Sequence, residues 1–376
     1  MYLGITTYCT GTANLGGEDG DLRSVQPNFF STVPRLLEKV YEKIYSKGLE
    51  LSGVKKKLFF WALSLTDDYE IGQTYSGMAG FKRKIADKLI FSKWREALGG
   101  NLIAIVTGAA PCPAKIARVF SAAGVPILEG YGLTETSPTL TVNQYHNNEA
   151  KIGTVGMPIS CVTIMIDESE GEYKEGEGEI LAIGKGVMQG YYKKPEKTAE
   201  VFKEIDGQRW FRTGDIGKWV KGPGGKDYLK ITDRKKELLK TSGGKYVAPA
   251  PIEGKLKENF LIENVMVVGD KKKFVSALIV PSEEVLRDWC ENNEVPFDNF
   301  NEAIKDPKVI DLYQRAINDI NPLFSHVEQI KKFTLLGDTW ESVRTDNTDS
   351  ELTPTMKLKR RVIRDKCAGQ IDAMYA

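Results

Sequence analysis

Two short β-branched runs separated by one helical stretch constrain this chain more than anything else in it. LIAIVT at residues 102–107 and VPIL at 125–128 bracket a segment, 114–123, whose apolar residues fall at helical spacing. A strand–helix–strand unit of this length joins parallel strands. In such sheets ligands sit beyond the carboxyl ends of the strands. Both runs lead into small-residue loops, Gly108-Ala109-Ala110-Pro111 and Gly130-Tyr131-Gly132, which are predicted to lie side by side.

The sequence period changes on both sides of this unit. Upstream, Leu36, Leu37, Val40, Tyr41 and Ile44 recur at helical spacing after Pro34, with Gly48 placed to end the helix. Residues 54–65 and 81–98 also read as helices, the second stopped by Gly99-Gly100. Downstream, from 153 to 232, short strands (VTIMID, EILAIG, WFRTGDIGKWV, DYLKIT) are broken by glycine, with Gly222-Pro223-Gly224-Gly225 as a hairpin turn. That pattern predicts an antiparallel subdomain. The charge cluster Asp233-Arg234-Lys235-Lys236-Glu237 then marks a domain boundary. Beyond it come a strand, a glycine turn, a helix at 251–259 and strands at 264–269 and 274–280. Charged helices between 282 and 320, a strand at 332–336 and a basic segment, KLKRRVIRDK, from Lys357 complete the chain. The predicted class is α/β: a mostly parallel sheet with an antiparallel, barrel-like subdomain, then a small α+β domain.

At 376 residues the chain suits one large and one small domain. With 52 basic against 51 acidic side chains, it lacks the excess of positive charge that a nucleic-acid backbone attracts, so no nucleic-acid partner is expected. Cys9, Cys112, Cys161, Cys290 and Cys367 are scattered without a CxxC pair, and only His146 and His326 could add imidazole ligands. Neither a disulfide framework nor a zinc site is expected. No basic leader precedes an apolar core at the N-terminus, and no run reaches membrane-spanning length. A cytoplasmic protein is expected, with any membrane contact peripheral.

Taken alone, YGLTE at 131–135 reads equally as a tight turn with a helix cap, since Gly132 permits unusual backbone angles and Thr134 can cap. Its company is more specific. In order the chain shows GAAP (108–111), EGYGLTETSP (129–138), GEI with GYY (178–180 and 190–192), FRTGD (211–215), DRKKELLKTSGGKYV (233–247) and LTPTMKLKR (352–360). This series resembles the ordered motif set of the adenylate-forming superfamily, and its variants resemble the long-chain fatty acyl-CoA synthetase branch. The resemblance covers essentially the whole chain. It implies ATP-dependent activation of a long-chain fatty acid to acyl-AMP and transfer to CoA, with Mg²⁺ as cofactor. It also divides the chain into the later part of a large AMP-binding domain at 1–232, a hinge at 233–238 and a small C-terminal domain at 239–376.

The resemblance implies a role for each matched residue. Gly108, Ala109 and Ala110 would form a wall of the adenine pocket, on which Tyr131 stacks, with Gly132 beside it. Thr134 would donate to phosphate, and Glu135 would ligate Mg²⁺, a hard cation that suits carboxylate and phosphate oxygens. Asp215 would accept from both ribose hydroxyls, and Arg234 would contact ribose or phosphate. Lys236 falls at the hinge position, Gly243 and Gly244 at the pantetheine channel, and Lys245 near CoA phosphate. Lys357 aligns with the catalytic lysine that bridges the carboxylate and the α-phosphate. From the residues alone, Tyr131 is also a buried aromatic, Glu135 a solvated charge and Asp215 an Asx-type turn. The charge cluster is a solvated linker, and the paired glycines are a strand-connecting turn. Lys359, Arg360, Arg361 and Arg364 read as bases solvating a C-terminal helix. Gly130 leaves room beside the reacting carboxylate, so a long acyl chain is allowed.

The family also carries a Ser/Thr/Gly-rich loop with a lysine that wraps the β- and γ-phosphates. No segment before Gly108 has that composition; residues 6–17 come nearest and lack lysine. Two rivals stand beside the leading reading: another adenylate-former, such as an aryl-CoA ligase or a carrier-loading domain, and a fragment that binds AMP or CoA without turnover. Without the loop's amides and lysine around the triphosphate, adenylation by this polypeptide alone is expected to be impaired. The purified chain should give little fatty-acid-dependent pyrophosphate exchange, and robust exchange would overturn that expectation.

Overall fold

The computed structural model describes residues 20–145, 149–171, 173–344, 348–354 and 356–376. Cys9, His146 and the stretch 6–17 lie outside them. The described residues fall into two compact units. One comprises those up to Gly132 with Thr139–Ile159 and Val220–Tyr228, and the other Leu133–Pro138, Ser160–Trp219 and Leu229–Ala376.

The first unit holds a five-stranded sheet in the order β1 (Phe29–Thr32), β2 (Ala104–Thr107), β3 (Ile127–Gly132), β4 (Thr139–Val142) and β5 (Met157–Pro158). β1, β2 and β3 are mutually parallel, and the helix Ala114–Ala122 makes the expected crossover between β2 and β3. β4 and β5 then add antiparallel, so the sheet is mixed. One expectation changes here. Gly130-Tyr131-Gly132 is strand rather than loop, because β3 runs on past β2 and pairs with β4, Gly130 opposite Val142 and Tyr131 opposite Thr141. The Gly108 loop and this strand end nevertheless lie side by side: a Cβ on Gly108 would stand 3.2 Å from the Gly130 carbonyl oxygen.

Helices Pro34–Glu50 and Gly53–Ser64 form where helices are expected, but Gly48 does not end the first. The helix runs through it to Glu50, and the glycine has a packing reason: a Cβ there would come within 2.2 Å of the Phe59 ring. The segment read as one helix over 81–98 starts earlier, at Gly77, and passes through a π-helical turn, Asp87–Phe91, before Ser92–Ala97. Arg95 reaches back to Asp87 with contacts of 2.6 and 3.1 Å and also donates to the Ala123 carbonyl.

The second unit begins with an antiparallel, barrel-like sheet of β6 (Val162–Asp167), β7 (Gly178–Gly184), β8 (Phe202–Ile205), β9 (Gln208–Lys221) and β10 (Asp227–Arg234). A hairpin of β11 (Leu239–Lys240) and β12 (Tyr246–Val247) follows, then the helix Pro249–Leu256. The terminal α+β part is built on β13 (Ile262–Val268), β14 (Val275–Pro281) and β15 (Ile330–Leu335). β14 is central, antiparallel to β13 and parallel to β15, and every residue in it is buried. A strand covered on both faces needs an apolar run, and Ala277-Leu278-Ile279-Val280 supplies it. Helices Glu283–Asn292 and Pro307–Ile320 pack one face, burying Leu286, Val309, Tyr313 and Ile317. Trp340, Ile363, Ile371 and Met374 cover the other. No helix among the described residues is long and apolar enough to cross a membrane.

The Gly48–Phe59 contact yields a test. Alanine at 48 should raise helix propensity by about 1 kcal/mol, yet overpacking against a buried ring costs about 1–3 kcal/mol. Gly48→Ala is therefore expected to lower the denaturation midpoint, and to do so less in a Phe59→Leu background. Equal effects in both backgrounds would contradict the packing explanation.

Candidate functional site

In the first unit the residues of interest gather where β2 and β3 end. Ala109 adopts the left-handed conformation, φ +68°, so the loop after β2 turns sharply at a residue that carries a Cβ. The loop is held from below by a side chain that the sequence reading did not single out. Glu129, on β3 opposite Thr107, is buried and accepts from the Cys112 backbone N–H at 3.2 Å and from the Gly153 backbone. Burial pushes its carboxyl up to about 7, against the smaller opposing pull of those two N–H donors. Tyr131 is half-buried on β3, and Gly132 is exposed at the strand's end.

In the second unit, Thr134–Thr136 forms one 3₁₀ turn. Thr136 organises it: its hydroxyl accepts from Leu133 N–H at 2.9 Å and donates to the Pro138 carbonyl at 2.6 Å. Thr134 is left exposed. Glu135 is fixed twice, through Met188 N–H donating to its carbonyl at 2.7 Å and Tyr191 Oη donating to Oε1 at 3.0 Å. Tyr191 belongs to the GYY motif, so two of the collinear motifs meet at this carboxylate. Among the described residues no group of three or more His, Cys, Asp or Glu could hold a metal. A lone, oriented carboxylate is nevertheless what Mg²⁺ uses when phosphates and water complete its shell, so Glu135 fits that ion.

Asp215 owes its position to a bulge. Leu181 of β7 pairs with Arg212 of β9, but Glu179, two residues away, pairs with Ile216, so β9 carries extra residues between them. Gly214 takes φ +74° there. Thr213 Oγ1 donates to the Ile180 carbonyl at 2.8 Å and accepts from Asp215 N–H at 3.2 Å. Asp215 is thus buried to 6 % exposure with Arg234 Nε 3.3 Å from its Oδ1. Lys357 joins them from the other end of the sequence. Burial and the nearby Arg234 guanidinium push its ammonium below the usual lysine range, while Asp215 and Glu237 pull it partly back. Its backbone is locked to Thr353, N–H to Oγ1 at 3.0 Å and carbonyl to Thr353 N–H at 2.8 Å.

The linker between these elements is not simply solvated. Lys236 is exposed, but Lys235 donates to Glu179 at 2.8 Å and its N–H to the Gly214 carbonyl at 2.8 Å. Asp233 is buried and accepts from Ala250 N–H at 3.3 Å. Burial raises its carboxyl to about 7 despite that bond, one from Arg234 N–H and the nearby Arg360. Arg360 is a second correction. Read as a solvating base, it instead donates to Glu253 at 2.8 and 2.6 Å and to Glu237 at 2.9 Å, whereas Arg361 is 88 % exposed as expected. Gly243 and Gly244 lie in the β11–β12 turn, where φ +79° requires glycine at 244 and nothing stands within 4 Å of a Cβ at either. Lys245 is exposed beside them. The structure therefore brings Asp215, Arg234 and Lys357 together in the second unit, with Thr134 and Glu135 on one turn of the same unit. It groups Gly108, Ala109, Ala110, Tyr131 and Gly132 in the first.

Comparison with known proteins gives the family. Residues 1–192 match the family model described as AMP-binding enzyme, and residues 236–376 match the AMP-binding enzyme C-terminal domain. A long-chain-fatty-acid–CoA ligase of Mycobacterium bovis is 37% identical over 354 residues, covering 93% of this chain and 55% of the relative. Human long-chain-fatty-acid–CoA ligase 1 is 35% identical over 366 residues, 95% of this chain and 49% of the relative. The chain thus spans about half the length of the curated relatives it matches. The adenylation domain of a carboxylate reductase from Mycobacterium chelonae superposes with a TM-score of 0.64 at 22% identity, over 97% of this chain and 49% of that one. The adenylation–carrier didomain of the Segniliparus rugosus enzyme, in complex with AMP, gives 0.63 at 22% identity over 98% and 44%. At these identities the structural likeness concerns the fold.

Glu129 makes the site's rigidity measurable through pH. Its folded-state value lies above the ordinary 4.5, so folding takes up a proton there. The associated stability is fully present below about 4.5 and falls as pH rises towards 7. Glu351 has the opposite sign in a separate window. Its own burial would raise it, but bonds from Arg344, Lys366 and backbone bring it to about 2, so its contribution is lost only below the ordinary 4.5. Glu129→Gln should therefore become more stable relative to the parent between pH 5 and 8, by on the order of 2–3 kcal/mol. A difference that does not change with pH would contradict a buried, protonated Glu129.

Proposed function

The chain belongs to the AMP-binding enzyme family, and we propose that the enzyme it represents activates a long-chain fatty acid as its adenylate and passes the acyl group to CoA. The observation that carries this reading is the meeting of Asp215, Arg234 and Lys357, drawn from three separate motifs, in one unit. A carboxylate is a poor acyl donor because oxide would have to leave. Attack of its oxygen on the α-phosphorus of ATP expels pyrophosphate and gives acyl-AMP; attack of the CoA thiolate on the acyl carbon then expels AMP.

In this reading Lys357 places its ammonium between the substrate carboxylate and the α-phosphate, so that negative charge is compensated as the two approach. Its lowered proton affinity, set first by burial and then by the neighbouring Arg234, supports the role. Asp215 accepts from the ribose hydroxyls, and Arg234, already aligned by Asp215, turns to ribose or phosphate. Thr134, exposed at the start of its turn, donates to phosphate oxygen. Glu135, oriented by Tyr191, would hold magnesium, which when bound neutralises phosphate charge. Gly108, Ala109 and Ala110 let backbone approach a flat purine, with Tyr131 as the stacking ring and Gly132 beside it.

The hinge belongs to the same proposal, at 233–238 between a large part, 1–232, and a small part, 239–376. Lys236, exposed between two anchored neighbours, is the residue free to rotate. The second matched family range begins at residue 236, which supports that position. Gly243, Gly244 and Lys245, on an open turn, would meet pantetheine and CoA phosphate after rotation. The long-chain preference rests on the names of the relatives, and the absence of a side chain at Gly130 is compatible with it.

In the full-length enzyme, palmitate should support pyrophosphate exchange far better than benzoate; the reverse preference would favour an aryl-CoA ligase. Lys357→Ala should lower the kcat of exchange by about 10²–10³-fold. Thioester formation from supplied acyl-AMP should be affected much less. Equal loss in both half-reactions would remove Lys357 from the adenylation step.

A further inference from the structure

We propose that Arg360 is a positioning residue that fixes the Lys357 segment and the linker as one piece, so that the place of the Lys357 ammonium is set by the same guanidinium that holds Glu237. The inference rests on the functional reading above and extends it to a side chain that touches no reactant. Its three carboxylate contacts use two faces of the planar fork, Nη1 and Nη2 on Glu253 at 2.8 and 2.6 Å and Nε on Glu237 at 2.9 Å. Bidentate geometry of this kind fixes orientation as well as distance. The Arg360 side chain is 20 % exposed, too enclosed for a solvating role.

Each partner is itself tied down. Glu253 Oε1 accepts from Val267 N–H at 2.7 Å, so the helix Pro249–Leu256 and the core strand β13 share the anchor. Glu237 sits one residue after Lys236 and 3.7 Å from Arg234, and it is also one of the charges acting on Lys357. One carboxylate therefore faces Arg234, Lys357 and Arg360. Lys357 and Arg360 are three residues apart, a span of at most about 10 Å. That span has little slack: Leu358 bridges to Leu352, and Lys359 N–H donates to the Glu351 carbonyl at 2.7 Å. Displacing Arg360 should move Lys357, and an error near 1 Å at a charge-bridging group is enough to cost about 10²-fold in rate.

Arg360→Lys keeps the charge and removes the fork, and Glu237→Gln spares the Glu253 pair should the first variant fold poorly. In the full-length enzyme, Arg360→Lys is expected to lower the kcat of fatty-acid-dependent pyrophosphate exchange about 10–100-fold. KM for ATP and thioester formation from supplied acyl-AMP should stay within about threefold, and Glu237→Gln should follow the same pattern more weakly. Amide hydrogen exchange should rise in residues 235–240 and 357–363 together. Three results would overturn the inference: unchanged exchange kinetics, parallel loss of both half-reactions together with the thermal midpoint, or amide deprotection confined to 360–366. Failure of the functional reading looks different, since wild-type enzyme would then show no exchange with any fatty acid while the amide coupling could still be observed.

Discussion

Arg234 and Lys357 bring like charges into one partly buried neighbourhood, and the second unit is arranged around making that tolerable. Like charges held near one another repel, so they stay together only with acids beside them. Asp215 and Glu237 are those acids, each within reach of Arg234. The bulge in β9 exists at the point where Asp215 must turn inward, and the Thr213 hydroxyl locks it there. Burial is the larger reason that the Lys357 ammonium is less basic than usual, and Arg234 adds to it.

Buried acids recur at the points where loops must hold still. Glu129 under the Gly108 loop and Asp233 at the start of the linker each accept from backbone N–H groups, and each is raised by burial to about 7. Burial of a carboxyl is tolerated when hydrogen bonds satisfy it, and here the donors are the backbones of the Gly108 loop and of the segments around Asp233. The terminal α+β part adds rigidity of another kind. With β14 buried on both faces and Arg360 gripping two carboxylates, it resists deformation.

The elements whose residues carried a strong local signal were legible in the sequence. LIAIVT and VPIL gave β2 and β3, the glycine-broken runs gave β6, β7, β9 and β10, and the α/β class followed from their order. Misreadings arose where a residue answers to a distant partner. Gly48 looks like a helix stop, but Phe59 sets it. GYG looks like a loop, but β4, a four-residue strand with little pattern of its own, extends it as strand. Arg360 looks like one base among several, and only tertiary contact with Glu237 and Glu253, more than a hundred residues upstream, distinguishes it from Arg361. Family motifs named Asp215, Arg234 and Lys357, but no local spacing shows that residues so far apart converge. Tyr191 belongs to the GYY motif, yet only the tertiary fold brings its hydroxyl to Glu135.

The central claim is that Lys357, partly buried and beside Arg234, is the residue that receives the nucleotide phosphate. Isotope-edited NMR titration of the methylated Lys357 ammonium, with and without saturating AMP, tests it directly. The expected result is a free-state value below the usual lysine range that rises when AMP binds, because the phosphate adds a nearby negative charge. A Lys357 that titrates like an exposed lysine and does not move with AMP would contradict the account.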